Sequence, residues 1–263
     1  MSYVGVEINK AFHFGSQTVK DIIHGNKHYH NLFELYYLES GRCSYFIEDK
    51  IYEMIPNDIV LIPAGIIHNA VYPPGPHTRM LINCSNDYIP KGISFDSLRF
   101  YRCGNTSKHI YKLMKNIEKE YLLGDNYSDD MLKCYTHELF IHIVRNNVPE
   151  NNISQKKSLI EDVTKYIHDN FGSNISLSEI AEYFCVSTEH LSRSFKKHTG
   201  FGFNEYVNLI RLRKAEFMLK NETDKSILEI AFLCGFNDSN YFSAKFHKIY
   251  GITPSAFRGK RGR

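Results

Sequence analysis

The feature that most restricts what this chain can fold into is a phrase written twice. SLSEIA at Ser176–Ala181 returns fifty residues later as SILEIA at Ser226–Ala231. In each, a serine stands three residues ahead of a glutamate at the start of an apolar run. This is the capping-box pattern, in which the serine hydroxyl caps the helix and the glutamate reaches back. The correspondence continues downstream, where Leu191, Phe195 and Gly200 match Phe242, Phe246 and Gly251 at an offset of 51. The one-residue change is expected in the turn, at Phe184–Val186 against Leu233–Phe236. A short capped helix, a tight turn and a second helix closed by glycine, present twice, predicts tandem helix-turn-helix units.

In such a unit the second helix enters the major groove and its outward side chains reach base edges. The first reading helix is expected at Thr188–His198 with Ser187 as N-cap. Leu191, Ser194 and Phe195 then face inward, leaving Thr188, Glu189, Ser192, Arg193, Lys196 and Lys197 outward. Arg193 suits bidentate contact to guanine and Glu189 suits cytosine, while Lys196 and Lys197 suit phosphates. The second reading helix is expected at Ser239–Ile249, capped by Asn237 or Asp238. Tyr241, Phe242 and Phe246 are placed inward; Ser239, Asn240, Ser243 and Lys245 are placed outward, with Asn240 suited to adenine. A helix over Asn204–Lys220 should join the units rigidly, so that both readers enter successive grooves about 34 Å apart. Arg211, Arg213 and Lys214 on this joiner read either as a solvated face or as phosphate contacts.

The stretch LSEIAEYFCVSTEHLSRSFKKHTG…FNEYVNLIRLRKAEFMLK…ILEIAFLCGFNDSNYFSAKFHKIYGITPSAFR resembles the DNA-binding domain of the AraC family along its whole length. The second half is the most diagnostic, with I-A, C-G-F, N-Y-F, F-x-K and G-x-T-P-x-x-F-R in order. The resemblance implies a regulator that binds double-stranded DNA, works with RNA polymerase, and activates more often than it represses. The family often has arginine where this chain has Ala244, which implies less base specificity from the second unit.

The rest of the chain reads differently. Up to about Asp87, short β-branched and aromatic runs such as Phe33–Leu38, Cys43–Ile47 and Ile59–Pro63 alternate with turn residues, implying an antiparallel sandwich or barrel. From Ser107 to Asn146 the period becomes helical. Ile110, Leu113, Met114, Ile117 and Tyr121 make one stripe and Leu132, Tyr135, Leu139 and Ile143 another, a helical hairpin suited to pairing two protomers. The expected organisation is therefore a sensor at 1–105, a hairpin for dimerisation at 106–146, a linker at 147–157 and the DNA-binding domain at 158–260. The fold class is α+β and multidomain, with an N-terminal antiparallel β-barrel and a C-terminal all-α tandem helix-turn-helix.

The strand zone resembles a cupin, and more narrowly the ligand-sensing domain of AraC-type regulators. His28-x-His30-x3-Glu34-x6-Gly41 matches the first cupin motif and Pro63-x-Gly65-x2-His68 the core of the second. Asn57 replaces a customary glycine, and asparagine is the next best residue at positive φ. His28, His30 and Glu34 share parity, so an extended strand puts them on one face, where His68 can join them. Such a quartet can hold a divalent transition metal. The preferred reading is metal-free, with no cofactor required and a small polar effector, a sugar or other metabolite, bordered by His28, His30, Glu34, Tyr36, Arg42 and His68. The alternative is a metal-dependent cupin enzyme with an attached DNA-binding domain. A third is a constitutive regulator whose barrel binds nothing.

Charge divides along the same line. Residues 1–155 hold 15 Lys and Arg against 17 Asp and Glu, a net of −2, whereas residues 156–263 hold 17 against 12, a net of +5. A basic C-terminal half suits a polyanionic partner. The six cysteines are scattered without a C-x-x-C pair, which argues against a zinc knuckle or disulfide framework. With neither an apolar run of membrane-spanning length nor a secretion-signal layout, no membrane partner and a cytoplasmic location are expected.

Overall fold

A computed structural model of the chain describes residues 11–19, 32–95, 99–146 and 158–259. The chain separates into two compact units, one within 6–156 and the other spanning 157–263. The first contains strands β1 (Phe12–Val19), β2 (Phe33–Ser40), β3 (Cys43–Ile47), β4 (Lys50–Met54), β5 (Asp58–Ile62), β6 (His68–Val71), β7 (His77–Cys84) and β8 (Phe100–Arg102). Helices α1 (Ser107–Leu123) and α2 (Ser128–Arg145) follow. His28 and His30 lie outside the described residues.

The strands form a five-stranded sheet, β1-β7-β2-β5-β8, and a three-stranded sheet, β4-β3-β6, with antiparallel pairing throughout. Among the described residues no ladder joins the two, so each sheet keeps its own edges. The closed cupin-like β-barrel expected from the sequence is corrected to two open sheets. Turn residues mark where a chain reverses, but closure requires edge strands to meet in register at long range. Here the short links at 41–42, 55–57 and 63–67 carry the chain from one sheet to the other instead of extending one sheet round. Asn57 takes a left-handed φ of 75°, as its place in the motif requires. Its side-chain oxygen accepts from the Tyr37 hydroxyl at 2.6 Å.

β2 and β5 are buried on both faces, because the helical hairpin covers one face of the large sheet and the small sheet covers the other. Phe33, Leu35, Tyr37, Ile59 and Leu61 pack with Ile110, Leu113, Met114, Ile117, Leu139, Phe140 and Ile143 of the helical hairpin. On the opposite face Tyr36, Leu38, Val60 and Ile62 meet Cys43, Tyr45, Ile47, Tyr52 and Met54 of the small sheet. Each fully buried side chain of this kind contributes roughly 1.5–3 kcal/mol. The hairpin stripes thus serve the fold of a single chain.

The second unit contains α3 (Leu159–Asn170), α4 (Leu177–Tyr183), α5 (Thr188–Thr199), α6 (Phe203–Asn221), α7 (Ile227–Leu233), α8 (Ser239–Tyr250) and α9 (Pro254–Gly259). Both repeated phrases form capping boxes, Ser176 with Glu179 and Ser226 with Glu229, and Ser158 with Glu161 makes a third ahead of α3. The two turns are the same length. Val186 N donates to Ala181 O at 2.9 Å, and Phe236 N to Ala231 O at 3.0 Å, each five residues back. The additional residue of the second unit is therefore Asn237, between the turn and the cap, rather than a residue within the turn.

Candidate nucleic-acid interface and effector pocket

In the first unit Ser187 caps α5, its hydroxyl accepting from His190 N at 3.2 Å. Leu191 and Phe195 are fully buried, Phe195 against Phe203 and Tyr206 with ring centroids 5.8 and 5.5 Å away. That anchorage turns Thr188, Glu189, Ser192, Arg193, Lys196 and Lys197 outward, and all are exposed. Exposed His190, which the spacing argument passed over, stands with them. Among the described residues Arg193, Lys196 and Lys197 have no ion-pair or hydrogen-bond partner. One face of α5 therefore presents three free cations against a single carboxylate, Glu189.

In the second unit Asp238 caps α8, accepting from Tyr241 N at 2.6 Å. Phe242 and Phe246 are buried. Asn240 is exposed and Ser239, Ser243 and Lys245 are half-buried. Tyr241 was expected inward but is 46% exposed, its hydroxyl accepting from Asn208 at 3.4 Å. At the offset of 51 Tyr241 matches exposed His190, and the aromatic pair that fills the core is Phe236 with Phe242, 5.1 Å apart. The Lys245 amine lies over the Tyr241 ring at 5.1 Å, so the cation of α8 already has a neighbour.

Arg211 on α6 has a role the sequence did not separate from its basic neighbours. Its Nε and Nη2 donate to the carbonyls of Phe171 and Ser173 at 2.9 and 2.7 Å. The guanidinium also lies 5.9 Å from the centre of the Phe236 ring. It is a clamp between the end of α3 and the turn of the second unit.

In the first unit of the chain, Glu34 is buried and its carboxylate accepts from the Tyr45 hydroxyl at 2.7 Å and from Asn83 at 3.2 Å. Buried His68 stands 3.8 Å from the same carboxylate and stacks on Tyr45, with Nδ1 2.7 Å from the carbonyl of Ile66. Tyr36 is fully buried, its hydroxyl 3.2 Å from that of Tyr72, and burial holds its pKa well above the ordinary phenol value. Arg42 is exposed in the link from β2 to β3. The arginine that reaches Tyr36 is Arg79 on β7. It donates to Tyr72 at 2.8 Å and to Gln17 at 3.0 Å, with its guanidinium 6.0 Å from the Tyr36 ring. The parity of His77, Arg79 and Asn83 was the available signal, since an extended strand turns all three to one side. Among the described residues no three His, Cys, Asp or Glu side chains are grouped to hold a metal.

A two-sheet domain with a buried polar group, followed in the chain by a paired reading fold, defines a class: a helix-turn-helix transcription regulator with a ligand-binding domain. Residues 180–260 match the family model described as a helix-turn-helix domain, and residues 15–91 the one described as an AraC-like ligand binding domain. The chain belongs to the AraC family and is a sequence-specific DNA-binding transcriptional regulator of that type. It is similar to the HTH-type transcriptional activator RhaR of Mannheimia succiniciproducens, 25% identical over 244 residues that cover 89% of this chain and 87% of the relative. The uncharacterized HTH-type transcriptional regulator YijO of Escherichia coli is 38% identical over 105 residues, 40% of this chain and 37% of that one. A crystal structure of the C-terminal domain of the response regulator yesN from Fusobacterium nucleatum aligns at 36% identity and TM-score 0.36, over 37% of this chain and 95% of that one. These relatives are transcriptional regulators, not enzymes. Among the described residues no helix is long and apolar enough to cross a membrane.

Proposed function

We propose that the chain is a ligand-responsive activator whose base specificity comes mainly from α5. The observation that carries this reading is the exposed, unpartnered row Arg193, Lys196 and Lys197 on a helix pinned by Leu191 and Phe195. Arg193 reads guanine, Glu189 contributes at a neighbouring base, and Thr188, Ser192, Lys196 and Lys197 hold the phosphates. α8 supplies Ser239, Asn240, Ser243 and Lys245 and adds less discrimination. A small polar effector occupies the first unit near Glu34, Tyr36 and His68 without a metal, and acts by favouring one of two states of a dimer. The exposed Leu122, Leu123, Tyr127 and Met131 at the hairpin end support pairing of two copies there. Activation through RNA polymerase, in the cytoplasm, follows the resemblance to activators such as RhaR.

Binding-site selection with the full chain on random duplexes tests the reading face. Arg193→Ala should relax preference at one or two base pairs at a cost of ~1–3 kcal/mol. Lys197→Ala should weaken all sites alike and lower the salt slope by about 1. Uniform weakening by both substitutions would remove α5 as the reader. Effector response is checked separately, by thermal shift over a metabolite library and a promoter reporter. An effector at a hundred times its dissociation constant stabilises by ~2.7 kcal/mol.

A further inference from the structure

Arg79 is half-buried on the inner face of the five-stranded sheet, between the rings of Tyr36 and Tyr72, 6.0 and 5.8 Å from their centres. Removing a cation from water is costly unless an opposite charge or several acceptors compensate. Among the described residues no carboxylate lies within ion-pair distance of Arg79. Glu34, on the same sheet face, already accepts from Tyr45 and Asn83. Of the five N–H donors of a guanidinium, two are taken, by Tyr72 and Gln17. The remainder form a fork suited to a carboxylate or phosphate.

The surroundings favour an incoming anion. Burial pushes the Tyr72 hydroxyl up to about 12 and the Tyr36 hydroxyl well above its ordinary value, so both remain protonated and can turn their hydrogens toward a negative group. The pairing register sets Gln17 beside Arg79 and Gly15 beside Leu81, which itself pairs with Tyr36. Gly15 has no side chain to occupy the space over Leu81, and Gln17 is exposed, so the approach lies along the β1 edge.

We propose that the effector carries an anionic group, a carboxylate or a phosphate monoester, which seats on the Arg79 guanidinium beside the Tyr72 and Tyr36 hydroxyls. This deepens, and rests on, the reading of the first unit as an effector sensor. The full chain is titrated at constant ionic strength with D-gluconate, D-glucose 6-phosphate and their uncharged counterpart D-sorbitol. The chain has no tryptophan, so binding is followed by the change in tyrosine fluorescence, to which Tyr36 and Tyr72 contribute, and by isothermal titration calorimetry. At least one acid should bind saturably and at least tenfold more tightly than sorbitol. Arg79→Gln should abolish that binding, whereas Lys112→Gln, exposed on α1 against the other face of the sheet, should leave it unchanged. A response to gluconate alone assigns a carboxylate, and one to glucose 6-phosphate alone a phosphate. If Arg79→Gln does not fold, Arg79→Lys keeps the charge without the fork and should weaken binding severalfold; unchanged binding overturns the proposal. Sorbitol binding as tightly as the acids, unaffected at Arg79, overturns the anion while leaving the sensor reading intact. Absence of saturable binding of either acid at tens of millimolar also overturns it, and the reporter response then decides the sensor reading on its own.

Discussion

The two helix-turn-helix units follow one plan and solve its hardest point differently. Each needs a residue at positive φ where the first helix turns toward the second. The first unit uses Cys185 at 55° and the second Gly235 at 82°. The reason lies in what passes overhead. A Cβ at Gly235 would meet the carbonyl of Phe171 at 2.7 Å and Arg211 Nε at 2.9 Å. Cys185 is exposed. A turn that touches another segment demands glycine; a turn in open solvent can carry a side chain with some strain.

That contrast can be broken most severely at its crowded end. Gly235→Ala combines backbone strain with overpacking and should lower stability by ~2–4 kcal/mol, read as a lower urea midpoint at unchanged slope. An alanine variant of wild-type stability would show that the clamp yields easily. Arg211→Met removes two charge-assisted hydrogen bonds to the Phe171 and Ser173 carbonyls and should cost about 2 kcal/mol. Weaker DNA binding should accompany it, because the second reader loses its fixed support.

Where the units are alike, they should respond alike. Ser176→Ala and Ser226→Ala each remove an N-cap and should each cost ~1 kcal/mol in thermal unfolding. Unequal costs would show that the shared phrase is not used equally. Cys185→Gly should stabilise slightly, by roughly 0.5–1 kcal/mol, since relief of the strained φ outweighs the added freedom of the unfolded chain. Smallest of all is a pH effect at α7. The Ser226 hydroxyl, and then its backbone N–H, hold the Glu229 carboxyl below its ordinary range. A depressed folded pKa means the cap is complete above the unfolded value and is lost as pH falls through the folded one. Amide exchange at the start of α7 should accelerate across that acid window and stay flat above it.

Much of this was legible in the residues because it is local. Capping boxes, the stripe Ile110–Ile117 and the anchors Leu191 and Phe195 depend on spacings of three or four, which a helix enforces. What escaped depends on partners far along the chain. The open sheets follow from which strands pair, and strand spacing alone suggested closure. Arg42 looked like the pocket arginine because it sits near Tyr36 in sequence, whereas Arg79 reaches it through the β2–β7 register. Tyr241 reads as inward by its aromatic ring, but at the offset of 51 it matches exposed His190, and Phe236 and Phe242 fill the core.

The contact between the end of α3 and Arg211 has a mechanical consequence. His168 near the end of α3 lies 3.0 Å from the Tyr206 hydroxyl, against which Phe195 of the first reader packs, while Phe171 and Ser173 just beyond grip the second unit. One helix therefore touches the footing of both readers. A push or twist delivered to α3 would be shared between them at once, as when a yoke turns two wheels, and neither reader could be released from DNA without disturbing the seat of the other.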